Sequence, residues 1–363
     1  MQERYQSRNE HQYQRAHQTR SGGIDITRSA VLSSRKAHSH RTDPAADRKN
    51  VQKDSIMIKP VVVCGPTASG KTALSIALAQ RLNGEIVCAD SMQIYRGMDI
   101  GTAKPDAEEQ KMARHHMFDV AEPGEIFSAA RYSAEASLIT DDIIARGKTP
   151  IICGGTGLYI NALISGTDFA KSGEDNGVRA RLEDQYRTDG AESLHAKLRE
   201  VDPDSADRLH INDIKRIIRA LEVYEVTGKT ITEHNRLSKL QKPRYDAVFV
   251  GINPIDRQML YDRINRRVDV MFELGLEAEV RRLFESGKLV GTAAQAIGYK
   301  EMLAYINGEA SLEQAADLIK QKSRNYAKRQ LTWFKSDERV NWVEYGTDYN
   351  IDGLCQKATS FIL

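Results

Sequence analysis

The residues with the clearest chemistry are Gly65, Pro66, Thr67, Ala68, Ser69, Gly70, Lys71 and Thr72, which fit the pattern G-x-x-x-x-G-K-[ST]. An apolar, β-branched run at 58–64 precedes them and an apolar-periodic helical stretch at 71–82 follows, the context this pattern requires. The glycines let the backbone curl so that successive N–H groups face phosphate oxygens, and the helix N-terminus adds positive potential. Lys71 brings a point charge, and the Thr72 hydroxyl suits a Mg²⁺ ligand. The pattern identifies a polyphosphate site without saying which polyphosphate, or whether a phosphoryl group moves. In phosphoryl-transfer enzymes of this type, an apolar strand ends in the carboxylate that holds the metal. Here the strand at 149–153 ends in Gly154-Gly155-Thr156. The carboxylate nearest a strand end is Asp90, in Cys88-Ala89-Asp90-Ser91-Met92-Gln93-Ile94-Tyr95, where the crevice of an open α/β sheet binds ligands. It suits a general base, a water-mediated Mg²⁺ contact or a turn cap.

Two basic pairs stand apart from these. Arg263 and Arg267 are four residues apart and share a helix face, as do Lys215 and Arg219 in Lys215-Arg216-Ile217-Ile218-Arg219. Residues 320–335 interleave Lys320, Lys322, Arg324, Lys328, Arg329 and Lys335 with Tyr326, Trp333 and Phe334, a pattern for a helix with one basic face and one core face.

Positioning such residues takes a sheet. Strands expected at 85–88, 117–120 and 149–153 alternate with helices at 105–114, 128–146 (capped by Ser128) and 156–163, which predicts a parallel sheet with helices on both faces. The strand signal then stops, and residues 176–240 read as helical and charged. A strand at 245–252, long helices after Asp256 and an edge strand at 340–343 complete the pattern. The fold class is therefore α/β, a P-loop NTPase-like parallel sheet flanked by helices with an inserted all-helical subdomain. The expected plan is a basic tail at 1–56, a core at 57–170 and 241–345, the insertion at 171–240, and a C-terminal segment at 346–363.

The 363 residues are 28% charged and 40% hydrophobic, with no apolar run near the ~20 residues of a membrane span. Four scattered cysteines show neither a disulfide framework nor metal spacing, and a cytoplasmic protein is expected. Residues 1–56 hold eleven Lys/Arg against six Asp/Glu, leaving 41 against 44 in the remainder, so any nucleic acid must be held by local patches. The tail has too few large apolar residues to offset its ordering entropy and is expected to be disordered, with Met57 as the natural start.

Taken in order, Gly65–Thr72, Asp90-Ser-Met-Gln-Ile-Tyr95, Met98-Asp-Ile-Gly-Thr-Ala-Lys-Pro105, Gly154-Gly-Thr-Gly-Leu-Tyr159 and Arg324-Asn-Tyr-Ala-Lys-Arg-Gln-Leu-Thr-Trp-Phe334 closely resemble the bacterial tRNA dimethylallyltransferases, also called tRNA isopentenyltransferases. The resemblance implies transfer of a dimethylallyl group from dimethylallyl diphosphate to the exocyclic amine of an adenosine. That adenosine lies 3′ of the anticodon, in tRNAs reading codons that begin with U. It implies Asp90 as general base, Thr156 near the reacting centre, Arg267 and Lys71 on the departing diphosphate with Arg263 nearby, and Mg²⁺ as cofactor. It implies contacts to the tRNA anticodon stem-loop from Asp90, Ser91, Met92, Gln93, Arg179 and Lys215 to Arg219. The bound polyphosphate would then be a leaving group, which explains the missing metal-binding carboxylate. Tyr299, in another element similar to the family's, suits stacking or packing. A monomer is expected. An adenylate isopentenyltransferase, a small-molecule kinase and a non-catalytic RNA-binding protein are the rivals. The helical insertion argues against the first, the Asp90 and Gly154 segments against the second, and intact Lys71, Thr72 and Asp90 against the third.

Overall fold

The computed structural model describes residues 58–166, 177–240 and 242–363. The tail expected at 1–56 lies outside them. A six-stranded, wholly parallel sheet has the order β3-β2-β4-β1-β5-β6. In chain order these strands are β1 Val61–Cys64, β2 Gly84–Cys88, β3 His115–His116, β4 Thr149–Gly154, β5 Val248–Pro254 and β6 Val340–Tyr345. Helices α1 Lys71–Arg81, α2 Ala107–Met112, α3 Ala129–Ala145 and α4 Gly157–Ser165 belong to the first half. Helices α5 Val178–Val201, α6 Pro203–Arg208, α7 Ile214–Thr227 and α8 Ile231–Leu240 form the insertion. Helices α9 Arg257–Glu273, α10 Leu276–Glu285, α11 Tyr299–Ile306, α12 Leu312–Lys335 and α13 Ile351–Thr359 complete the chain.

Alternation along each strand sorts side chains onto two faces, both apolar because helices cover both. Val62, Cys64, Val87, Ile152 and Phe249 face a core with Tyr132, Ile143, Ile160 and Leu163 of α3 and α4. Val61, Val63, Ile86, Ile151 and Val250 face a second core with Leu74 and Leu78 of α1 and Leu354 and Ala358 of α13. The expected C-terminal segment at 346–363 thus adds Leu354, Cys355 and Ala358 to this second core. Its helix covers α1, as the apolar spacing of Leu354, Cys355 and Ala358 allows.

The strand expected at 117–120 is corrected. Pairing stops at His116 because Met117 and Asp119 adopt left-handed φ values of 65° and 54°. The insertion has its own core of Leu182, Leu194, Leu198, Ile217, Ile218 and Leu221. Ser128 caps α3 as expected, accepting from Arg131 N at 3.1 Å. No described helix is long and apolar enough to cross a membrane.

Candidate active site

The loop between β1 and α1 is bent by its own sequence and held from outside. Gly65 has φ +144°, and a Cβ there would meet the Ile252 carbonyl oxygen at 2.4 Å. Ala68 holds φ 62° and Gly70 φ 100°. Tyr345 donates its hydroxyl to Ser69 O at 2.7 Å, and Arg263 Nε donates to Ala68 O at 2.8 Å. The Arg263 guanidinium lies over the rings of Tyr345 and Tyr349. The loop's N–H groups do not all join the phosphate cradle: Thr67 N donates to Gln330 Oε1 at 2.8 Å. Lys71 Nζ donates to Pro66 O at 2.7 Å, and burial lowers its pKa from 10.5 to about 8. Arg267 reaches Thr67 Oγ1 at 3.2 Å and Ala103 O at 3.4 Å. Burial pulls its pKa down, opposed by the facing Asp90 carboxylate.

A cavity of about 750 Å³ is lined by Thr67 to Thr72, Arg263, Arg267 and Tyr349. A second, of about 290 Å³, is lined by Ser91, Met92, Met271, Ile297, Ile319 and Arg329. Thr67, Asp90, Thr102, Arg267 and Tyr326 line both. The two cavities thus meet at a ring that holds one carboxylate, one guanidinium, two hydroxyls and a phenol. An anion held by the loop and a nucleophile entering from the second cavity would face each other across this ring.

Asp90 stands at the carboxyl edge of β2, as expected. Its Oδ1 accepts from Met92 N at 2.9 Å, so the carboxylate braces its own turn and still borders both cavities. Thr156 does not cap α4 with its side chain. Its hydroxyl accepts from Ser91 N at 3.0 Å and lies 3.3 Å from Ser91 Oγ, behind the Asp90 turn rather than on a cavity wall. That place makes it a support of the Asp90 turn, next to the Tyr326 phenol of the ring.

Gln93 lines the phosphate-side cavity, where its amide donates to Thr102 O and Ala103 O, both at 3.0 Å. Ile217 and Ile218 lie in the core of the insertion, where apolar burial outweighs any RNA contact, while Lys215 and Arg216 are exposed beside them. Arg179 and Arg219 converge on Glu222, at 2.7 and 3.0 Å. Burial alone would raise the Glu222 pKa, but the two guanidiniums outweigh it and hold the carboxyl below its ordinary value. Tyr299 is fully buried and packs rather than stacks.

Two positioning groups escaped the sequence reading. Glu279 is 3% exposed and accepts from the N–H groups of Asp99, Ile100 and Gly101 at 2.9–3.1 Å and from the Tyr299 hydroxyl at 2.6 Å. It fixes the loop that carries Thr102 and Ala103. Gln330 is 4% exposed and bridges the phosphate loop to Gly155 O, to which Nε2 donates at 3.0 Å. Neither residue type signals such a role in a helix. The only cue for Gln330 was its place in the 324–334 segment.

Residues 93–337 match the family model for IPP transferases. The chain belongs to the IPP transferase family. It is similar to the tRNA dimethylallyltransferase of Acetivibrio thermocellus, 49% identical over 295 residues that span 80% of this chain and 94% of that protein. The tRNA dimethylallyltransferase of Halalkalibacterium halodurans is 45% identical over 304 residues, spanning 84% and 96%. Among solved IPP transferase structures, the Bacillus halodurans tRNA isopentenylpyrophosphate transferase superposes with TM-score 0.63 at 43% identity, covering 84% of this chain and 95% of that one. A eukaryotic dimethylallyltransferase described as acting on tRNA superposes with TM-score 0.70 at 30% identity, covering 83% and 77%.

Proposed function

We propose that this IPP transferase moves a dimethylallyl group from dimethylallyl diphosphate to the exocyclic amine of the adenosine 3′ of the anticodon, in tRNAs reading codons that begin with U. The observation that carries the reading is the pair of cavities meeting at Thr67, Asp90, Thr102, Arg267 and Tyr326. The diphosphate lies on Gly65–Thr72, and the allylic carbon points through the ring. A base can be alkylated inside a protein only after leaving its stack, and the smaller cavity takes the extruded adenine.

The allylic carbon–oxygen bond breaks as the carbon–nitrogen bond forms. Negative charge grows on the diphosphate, where the loop N–H groups, Lys71, Arg263 and Arg267 are fixed in advance, and such stabilisation is usually the largest catalytic contribution. The amine proton passes to Asp90. The Thr72 hydroxyl lines the phosphate-side cavity and would hold Mg²⁺. Bound there, Mg²⁺ supplies neutralisation of the leaving group's charge.

Asp90→Asn tests this reading. The amide oxygen can still accept from Met92 N, so the turn survives, but it takes no proton at neutral pH. General base catalysis supplies 10²–10⁴-fold, so kcat falls by about that factor, ~3–5 kcal/mol in the barrier, with donor affinity kept. A drop in donor affinity rescued by added Mg²⁺ would make Asp90 a metal ligand instead. An unchanged kcat would remove it from the chemistry.

A further inference from the structure

The ring between the cavities is built from separate segments, and one side chain ties two of them together. We infer that Gln330 is a positioning residue that holds the diphosphate loop and the acceptor-side turn at a fixed separation, so that departure of the diphosphate is coupled to capture of the allyl group by the amine. The inference rests on the proposed prenyl transfer.

Gln330 projects from α12 with both ends of its amide used. Oε1 accepts from Thr67 N, on the loop that would hold the leaving group, and Nε2 donates to Gly155 O, on the turn after β4. That turn is itself locked to Asp90. Thr156 N donates to Ala89 O at 3.1 Å, the Thr156 hydroxyl accepts from Ser91 N, and a Cβ on Gly154 would lie 2.1 Å from Ala89 O. One helical turn before Gln330, Tyr326 stands in the ring, its phenol facing Thr156, Gln330 and Asp90. Gln330 therefore fixes three of the five ring members: Thr67 directly, Asp90 through the turn, and Tyr326 through its own helix. The contact is built to close tolerance, since a Cβ on Gly155 would sit 2.0 Å from Nε2.

Spacing matters in this reaction because the electrophile has two possible captors. If the amine attacks, carbon–oxygen cleavage yields prenylated RNA, with the proton on Asp90. If the ring widens and water enters, water oxygen bonds to the same carbon and loses a proton to solvent, giving dimethylallyl alcohol and diphosphate. Displacements near 1 Å are enough to cost a hundredfold in a positioned reaction.

The test compares diphosphate released with prenyl group transferred, using dimethylallyl diphosphate and unmodified tRNA. Gln330→Met keeps the volume and removes both hydrogen bonds. The expected result is a 30- to 100-fold lower kcat for transfer, with KM for both substrates within about threefold of wild type. Diphosphate released per prenyl transferred rises from one to five or more. Gly155→Ala, which displaces the amide from the other side, gives the same rise and decides the matter if Gln330→Met does not fold. A ratio that stays at one in the folded variants overturns the inference, whether kcat is unchanged or falls with a lowered melting temperature as a merely structural role would require. Wild-type protein that transfers no label defeats the proposed function itself, a result distinct from a transferring wild type whose variants stay coupled.

Discussion

In the proposed reaction, Lys71 is the side chain whose proton most directly governs donor capture. Burial lowers its pKa to about 8, so the free enzyme carries the ammonium below that pH and loses it above. The value of kcat/KM for the donor reports free-enzyme groups and should fall about tenfold per pH unit above 8. Stability moves the other way. Between about 8 and 10.5 the unfolded chain binds the proton more tightly, so the cost of burying the charge is present below 8 and fades as pH rises. A flat kcat/KM profile from pH 7 to 9.5 would remove Lys71 from donor binding. At this scale the sequence was most informative where residue type and chemistry coincide, as in Lys71, Asp90, Arg263 and Arg267, all of which line the phosphate-side cavity. It misled where a polar side chain serves the backbone. Nothing in the type of Gln93, Gln330 or Glu279 separates a solvent-facing group from one that bonds two or three main-chain atoms.

At the scale of elements, strands and helices with strong periodicity were legible to within a few residues, and the failure was local. Residues 117–120 include the strand-favouring Phe118 and Val120, yet left-handed Met117 and Asp119 turn the chain out of the sheet there. The insertion was legible as a charged helical block, whereas its inner face was not, because Ile217 and Ile218 sit inside a basic run. Lys215 and Arg219 share one face of α7, with Lys215 exposed and Arg219 held with Arg179 on Glu222. Lys215→Ala with Arg219→Ala should raise the tRNA KM about tenfold and flatten its salt dependence, since each lost phosphate contact releases fewer counterions. The donor KM should stay within twofold. Weakened donor binding at unchanged tRNA affinity would exclude α7 from the RNA interface.

Across the whole molecule, the site occupies the carboxyl edge of the sheet and a charged staple closes the opposite edge. Glu85, at the start of β2 and 1% exposed, accepts from Arg146 at 2.5 and 2.8 Å, Lys148 at 2.8 Å and His116 at 2.7 Å. The Arg146 hydrogen bonds lead the effects that depress its pKa far below 4.5. Its stabilising contribution is complete above pH 4.5 and is lost as pH falls toward the depressed folded value. Glu85→Gln should cost about 3 kcal/mol at pH 7, the scale for breaking a buried ion pair, with the gap to wild type closing below pH 4.5. A pH-independent gap, measured by denaturant unfolding, would contradict this. The central claim, that donor and acceptor meet across the ring of Thr67, Asp90, Thr102, Arg267 and Tyr326, is tested most directly by offering the purified protein labelled dimethylallyl diphosphate with unmodified tRNA, AMP or ATP. The account predicts label in tRNA alone, on the adenosine 3′ of the anticodon, and an initial labelling rate lower by a factor of about 10²–10⁴ when Asp90→Asn replaces wild type at matched concentration. Label in AMP or ATP, or equal labelling of tRNA by the variant, would contradict it.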